Sequence, residues 1–273
     1  MSKIENENIT VNLLWTGGWD STFQLLQLLL IYKHNVSPYY SIHEKRPSTL
    51  KEIRVMEKIK NQIIKDYPHT KELLQATQYH AVGDILPNTE ISSAYRSILK
   101  KCHVGEQYEW LARFCNEKGI KKMQLSIQAH IKPDPNQFNI KPLLKATKIG
   151  DQEVYLIDPK FKNTDEYKIF GHFTFPLMKL TKVQMKEISV EKGWEKIMDM
   201  TWFCHNPTRK EKPCGICKPC IIALDESFGW RIPLGRRIIS FYYRKIFWPV
   251  KSKLRSLLIS MGLYSEKIKD HSA

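Results

Sequence analysis

One stretch constrains this chain more than any other: Leu13-Leu14-Trp15-Thr16-Gly17-Gly18-Trp19-Asp20-Ser21-Thr22. The apolar run that enters it, Ile9 to Trp15, has the length of a buried strand. The run that leaves it, Phe23 to Ile31, is apolar almost all round, as a buried helix is. Between them stand two glycines and an Asp-Ser-Thr triplet of good helix-start residues. The pattern is strand, tight turn, helix N-terminus. Glycine has no Cβ, so it takes positive φ and lets amide N–H groups come close to an anion. The first turn of the helix adds unpaired N–H groups and the positive end of its dipole, which suits phosphate. Ser21 and Thr22 add hydroxyl donors, and Asp20 can cap the turn or hold Mg²⁺. No Gly-Lys-Ser/Thr follows the glycines, which excludes a Walker-type loop. The plain alternative is a glycine turn that only redirects a strand into a buried helix.

The turn resembles the SGGxDS signature of the PP-loop ATP pyrophosphatases, with Thr16 in place of the first serine. The resemblance implies that the loop grips the β and γ phosphates of ATP and that the α-phosphate is attacked, giving AMP and pyrophosphate. It implies ATP and Mg²⁺ as cofactors. Trp15, Thr16, Gly17, Gly18, Trp19, Asp20, Ser21 and Thr22 then form the nucleotide-binding set, with Asp20 and Ser21 closest to the chemistry.

The periodicity downstream predicts more of the same architecture. Val36 to His43 reads as a second strand, and a helix from about Thr49 to Asp66 carries Ile53, Met56, Ile59, Ile63 and Ile64 as its apolar face. Tyr79 to Ile85 reads as a third strand. A helix with Trp110, Leu111, Phe114 and Cys115 inward ends near Gly119, and Met123 to Gln128 follows as a strand. A short hairpin is expected around Glu153 to Ile157. Thr181 caps a last helix whose apolar positions include Val183, Ile188 and Val190 and which stops at Gly193. Alternating strands and helices predict a parallel sheet with helices on both faces, and ligands in such sheets sit beyond the C-terminal strand ends. With the resemblance, the expected fold class is α/β, Rossmann-like (adenine nucleotide alpha hydrolase-like).

Cys204, Cys214, Cys217 and Cys220 have the spacing C-x9-C-x2-C-x2-C. Each C-x2-C lets two thiolates converge on one ion, and Gly215 permits the tight knuckle. Four thiolates make a closed structural Zn²⁺ site, with a formal charge of −2 that Arg209, Lys210, Lys212 and Lys218 can offset. An iron–sulfur cluster uses the same ligands, a redox C-x2-C needs only two, and His205 can replace one thiolate. The glycine turn and this cluster together are similar to 7-cyano-7-deazaguanine synthase, the QueC family. Phe175-Pro-Leu-Met-Lys-Leu-Thr-Lys182 and Thr201-Trp-Phe-Cys204 sit where that family has its helix entry and its T-x-x-C. The resemblance implies adenylation of a carboxylate, 7-carboxy-7-deazaguanine or a related acceptor, leading to an amide and then a nitrile (preQ0). It makes Lys182 a candidate for neutralising phosphate charge, against an exposed helix-start lysine. The acceptor half departs from the family: Cys102-His103-Val104-Gly105-Glu106-Gln107-Tyr108 and His130-Ile-Lys-Pro-Asp134-Pro-Asn136 replace its substrate-shaping stretches. Cys102, His103 and His130 can face the substrate, and Arg46 can meet phosphate, but core or surface roles are the plainer assignments.

The net charge is +15, and residues 229–273 carry ten Lys/Arg against two Asp/Glu. There Arg236, Arg237, Arg244 and Lys245 interleave with Ile238, Ile239, Phe241, Tyr242, Ile246 and Phe247, and Pro249 is expected to break the helix before Leu254, Leu257, Leu258 and Met261. Such an extension docks on its own domain or on a sister subunit in a homodimer, or else meets nucleic acid, an acidic partner or an anionic membrane. The expected divisions are 9–200 for ATP binding, 201–228 for a small zinc-bound subdomain and 229–273 for a basic helical extension. No apolar stretch is long enough to span a bilayer and no signal-peptide pattern opens the chain, so a cytoplasmic location is expected. The function classes that fit are a QueC-type ATP-dependent ligase, such an adenylating protein in a modification or anti-phage defence pathway, a PP-loop enzyme acting directly on tRNA, and a non-catalytic zinc-stabilised binding protein.

Overall fold

A computed structural model describes residues 9–44, 46–129, 137–226 and 228–261. The chain divides into two compact units, Met1–Trp202 and Phe203–Ala273.

In the first unit, β1 (Thr10–Leu14) leads through the glycine turn into α1 (Trp19–Leu26), and a π turn (Gln27–Ile31) ends that helix. Next come β2 (Asn35–Ile42), α2 (Thr49–Asp66), the single turn α3 (Thr70–Leu73) and β3 (Gln78–Ala81). Two helices follow, α4 (Thr89–Leu99) and α5 (Gln107–Glu117), before β4 (Met123–Gln124). A hairpin, β5 (Leu144–Ile149) with β6 (Gln152–Ile157), precedes α6 (Asp165–Phe170), β7 (Phe173–Thr174), α7 (Lys182–Glu191) and α8 (Glu195–Asp199). The five-stranded sheet has the order β3-β2-β1-β4-β7, parallel at every pairing. Helices α1, α2, α7 and α8 associate as one layer, and α4, α5 and α6 as the other. Crossovers leave β1 toward β2 and β3 on one side and toward β4 and β7 on the other. The switch point of this Rossmann-like sheet therefore falls between β1 and β4.

Local signals fix many element ends. Thr181 and Gln184 close a reciprocal capping box on α7. Gly119 and Gly193 take positive φ just past α5 and α7, as C-terminal stops do. Elsewhere packing overrides periodicity. The buried face of α2 is Glu52, Val55, Met56, Ile59 and Ile63, while Ile53 and Ile64 are half-buried. The carboxylate of Glu52 tolerates burial because Tyr40 Oη (2.8 Å) and Ser48 Oγ (2.6 Å) donate to it and Arg46 lies 3.7 Å away. Val183 and Val190 point outward from α7, whose buried positions are Met185 and Ser189. Only Met123 and Gln124 of the expected fourth strand pair in the sheet, because β7 offers a ladder of two residues.

A chain of buried amides ties the layers beneath the switch point. Gln24 Nε2 donates to Gln124 Oε1 at 2.6 Å, and Gln124 Nε2 donates to Gln152 Oε1 at 2.8 Å. Gln124→Leu strands a buried donor on one side and an acceptor on the other, each costing about 1–3 kcal/mol. A loss of roughly 2–4 kcal/mol is expected in denaturant unfolding, and an unchanged midpoint would remove this chain from the stability of the sheet.

In the second unit, α9 (Lys218–Asp225) follows the cysteine segment. Helix α10 (Leu234–Tyr242), a π turn (Tyr243–Phe247) and α11 (Trp248–Ser260) then form one helical run. The expected break at Pro249 does not occur. Pro249 follows closely on the π turn, and the register change there falls where the proline has no N–H to donate. No helix among the described residues is long and apolar enough to cross a membrane.

Candidate active site

The glycine turn is held from behind. Trp15 is fully buried and its indole Nε1 donates to Thr22 Oγ1 at 3.2 Å, joining the end of β1 to the first turn of α1 inside the core. Gly17 has φ +65°, and its carbonyl accepts from the Trp202 N–H at 2.9 Å. The Thr16 amide donates to Ser21 Oγ at 3.3 Å, and that hydroxyl also lies 3.4 Å from the Gly18 carbonyl. Ser21 thus braces the bend from within. The amides of Gly17 and Gly18 have no hydrogen-bond partner among the described residues. No side chain caps α1, so the N–H of Ser21, in its first turn, is open in the same way.

The turn forms one wall of a cleft of about 220 Å³ at the switch point. Thr16, Gly18, Trp19, Asp20 and Ser21 line it from the loop. Leu14 and Leu125 with Ser126 and Ile127 line it from the ends of β1 and β4, and Gln107, Tyr108 and Leu111 face them from α5. Asp20 sits in the first turn of α1, where a carboxylate is favoured by the helix dipole and can hold a divalent cation beside a phosphate. Ser126 Oγ is buried without a hydrogen-bond partner. A hydroxyl orphaned on a cleft wall suits a ligand's polar atom. Tyr108 packs against Phe170 with the rings tilted and their centroids 5.1 Å apart, and burial pushes its phenol above the ordinary range, so it stays a neutral donor.

The structure therefore brings five of the expected loop residues to the cleft and leaves others out. Trp15, Gly17, Thr22 and Lys182 do not line it. Lys182 is the first residue of α7. Arg46 is engaged with Glu52. Cys102 and His103 also stand outside the lining: the Cys102 thiol faces the Ile98 carbonyl at 3.8 Å, and the His103 carbonyl accepts from Phe138 N–H. His130, with Asp134 and Asn136, lies outside the described residues. Ser126 went unnoticed in the sequence. Its one signal is its position, a small hydroxyl just beyond the strand beside the glycine turn.

The second unit carries a separate cluster. The sulfurs of Cys204, Cys214, Cys217 and Cys220 all lie within 4.8 Å of one another. Cys204 and Cys217 are 3.8 Å apart, and Cys214 and Cys220 3.9 Å apart. Four sulfurs at ~2.3 Å from one Zn²⁺ would form a tetrahedron with edges of about 3.8 Å. The set thus fits a single tetrahedral ion. Gly215, at φ +81°, turns the knuckle so that the N–H groups of Ile216 (3.5 Å) and Cys217 (3.3 Å) point at Cys214 Sγ. The Cys214 N–H reaches Cys204 Sγ at 3.2 Å, and the amides of Cys220 and His205 serve Cys217. His205 thus assists through its backbone and is not one of the four ligating groups. Four neighbouring thiolates repel one another. Hydrogen bonding from Cys204 and Cys220 holds the Cys217 thiol far below the ordinary range, and the same contacts push Cys220 up and Cys204 up to about 12. A dication at the centre would supply the positive charge that lets all four ionise.

The first unit thus carries a parallel sheet with an anion-ready glycine turn at its switch point, and the second a four-cysteine cluster that fits a metal ion. Residues 112–227 match the family model described as "Queuosine biosynthesis protein QueC". That stretch runs from α5 through all four cysteines, is less than half of the chain, and does not include the glycine turn. Among solved structures, the U34-tRNA thiolase NcsA from Methanococcus maripaludis with its [4Fe-4S] cluster is similar, at 13% identity and a TM-score of 0.40, over 88% of this chain and 72% of that one. No curated protein matches the sequence.

Proposed function

We propose that this chain is an ATP-using enzyme that adenylates a carboxylate and releases pyrophosphate. The observation that carries the proposal is the glycine turn, where Gly18 and Ser21, both with open amides, line a cleft at the switch point of the sheet. In the reaction a carboxylate oxygen of the acceptor bonds to the α-phosphorus of ATP while the bond to the bridging oxygen of the β-phosphate breaks. The products are an acyl-adenylate and pyrophosphate. The open N–H groups of Gly18 and Ser21 take up charge on the departing pyrophosphate. Asp20 is the group that would hold Mg²⁺, which when bound supplies further positive charge to the phosphates. Ser21 keeps the bend in shape. Tyr108, Gln107 and Ser126 form the wall against which the acceptor is held in line for attack.

The QueC match favours 7-carboxy-7-deazaguanine as the acceptor, with the acyl-adenylate going on to an amide and a nitrile. The net charge of +15 favours a second reading, in which a base carbonyl oxygen of tRNA takes the place of the carboxylate oxygen in the same displacement of pyrophosphate. In either case the four cysteines hold a structural Zn²⁺, and residues 201–228 and 229–273 act as separate parts beside the ATP-binding part, 9–200. The experiment is pyrophosphate release by the full chain with ATP, Mg²⁺ and one candidate acceptor at a time. Release with 7-carboxy-7-deazaguanine is the expected result. Release only with tRNA replaces the small acceptor by the nucleic acid, and no release together with no ATP binding sinks the enzyme reading.

A further inference from the structure

Helix α10 is amphipathic in an unusual sense: its polar side docks and its apolar side faces outward, and the apolar exposure continues along α11. Leu234, Ile238, Tyr242, Ile246, Val250 and Leu254 recur every fourth residue. Every side chain of it is between 51% and 65% exposed. Steps of four drift around an α-helix by about 40° each. The π turn at Tyr243–Phe247 takes more residues per turn and so takes back part of that drift. Arg236, Ser240 and Arg244 stand two residues off the row, about 200° around the helix. That opposite side is the anchored one. Ser240 is fully buried, Arg244 Nη2 donates to Asp225 Oδ1 at 2.9 Å, and a Cβ on Gly215 would fall 2.5 Å from the Arg236 carbonyl. The run is thus fastened to the cysteine knuckle with its apolar row turned to solvent.

We propose that this row is a docking surface for an anionic lipid membrane, on which the α10–α11 run lies flat. Charge decides the occupant. Residues 229–261 hold eight Lys/Arg and no Asp or Glu. Arg237, Lys245 and Lys253 follow one another at eight-residue steps along one flank of the row, all exposed. A helix with an apolar face rich in Leu, Ile and aromatics and a basic flank is what binds at the headgroup boundary, where acidic lipid headgroups meet the cations and acyl chains take the apolar row. Trp248 and Phe247, both more than half exposed, belong to the residue types favoured at that depth. A second copy of this chain would bring the same cations against cations. A nucleic acid would satisfy the charge but leave an aliphatic row in water.

The test is flotation of the full chain with vesicles of phosphatidylcholine alone and with vesicles containing one third phosphatidylglycerol. Binding at least about tenfold greater to the anionic vesicles is expected. Ile238→Asp with Ile246→Asp should abolish it at unchanged far-UV circular dichroism, since both side chains point outward. Arg237→Glu with Lys245→Glu should reduce it to the level of the neutral vesicles. Three results would overturn the proposal: equal background flotation with both compositions, flotation indifferent to the Ile238 and Ile246 changes, or a dimer or RNA complex lost in those variants while vesicles bind neither protein.

Discussion

Replacing Cys220 by serine is expected to unfold the second unit while leaving the sheet of the first intact. Cys220 is fully buried, and its sulfur is one corner of a set whose spacing fits a single ion. A structural Zn²⁺ bound by four thiolates contributes on the order of 10–16 kcal/mol of apparent binding energy at neutral pH, all of it coupled to folding. That exceeds the total stability of most domains, about 5–15 kcal/mol. Among the described residues of that unit, the buried apolar side chains besides the cysteines are only Ala223, Phe228 and Ile232. Limited proteolysis should cut the variant between residues 203 and 260 and spare β1 to β7. A chelator added to the wild-type chain should reproduce the pattern, and metal analysis should give one zinc per chain. Resistance equal to wild type, with no zinc in either protein, would discard the metal centre. Iron in place of zinc would keep the fold argument and replace the ion.

Asp20→Ala is expected to lower pyrophosphate release by about 10²–10³-fold or more, the range for loss of one group that organises transition-state charge. Its melting temperature should stay within a few degrees of wild type, because Asp20 lines the cleft and is not part of the buried core. Gly17→Ala is a companion that works through shape. Gly17 has φ +65°, and an added Cβ would approach Met56 Cγ at 2.9 Å, so the turn must shift or α2 must give way. The left-handed conformation alone costs about 1–2 kcal/mol for a residue with a Cβ. This variant should lose stability and release together, whereas Asp20→Ala should separate them. Full turnover by Asp20→Ala would take the loop out of the chemistry.

The contrast between these two glycine-turn variants reflects what a sequence encodes locally. The span of α2 is legible because Ser48 and Thr49 begin a clear apolar period and Tyr67-Pro68 ends it. Helix α4 is just as regular, with Asn88 Oδ1 accepting from Ile91 N–H and Ile91, Ala94, Tyr95 and Ile98 inward. Ile53 gave way to Glu52 on the buried face of α2 because Tyr40 and Ser48, close in space, satisfy a carboxylate that periodicity scores as solvent-facing. Proline lacks an N–H and by local rules stops a helix at Pro249, but the preceding π turn carries the helix through it.

The sequence by itself determined the glycine bend, the cysteine knuckle and the cap of α7, since each is a contract between residues a few positions apart. Only the tertiary structure decided what stands opposite the bend. Strand order sets β4 beside β1, and this delivers Ser126 and the start of α5 to the cleft wall. It likewise decided which side of the basic helix is covered. A hydrophobic row announces a helical period, but only the anchoring of Ser240 and Arg244 on the other side turns that row to the outside.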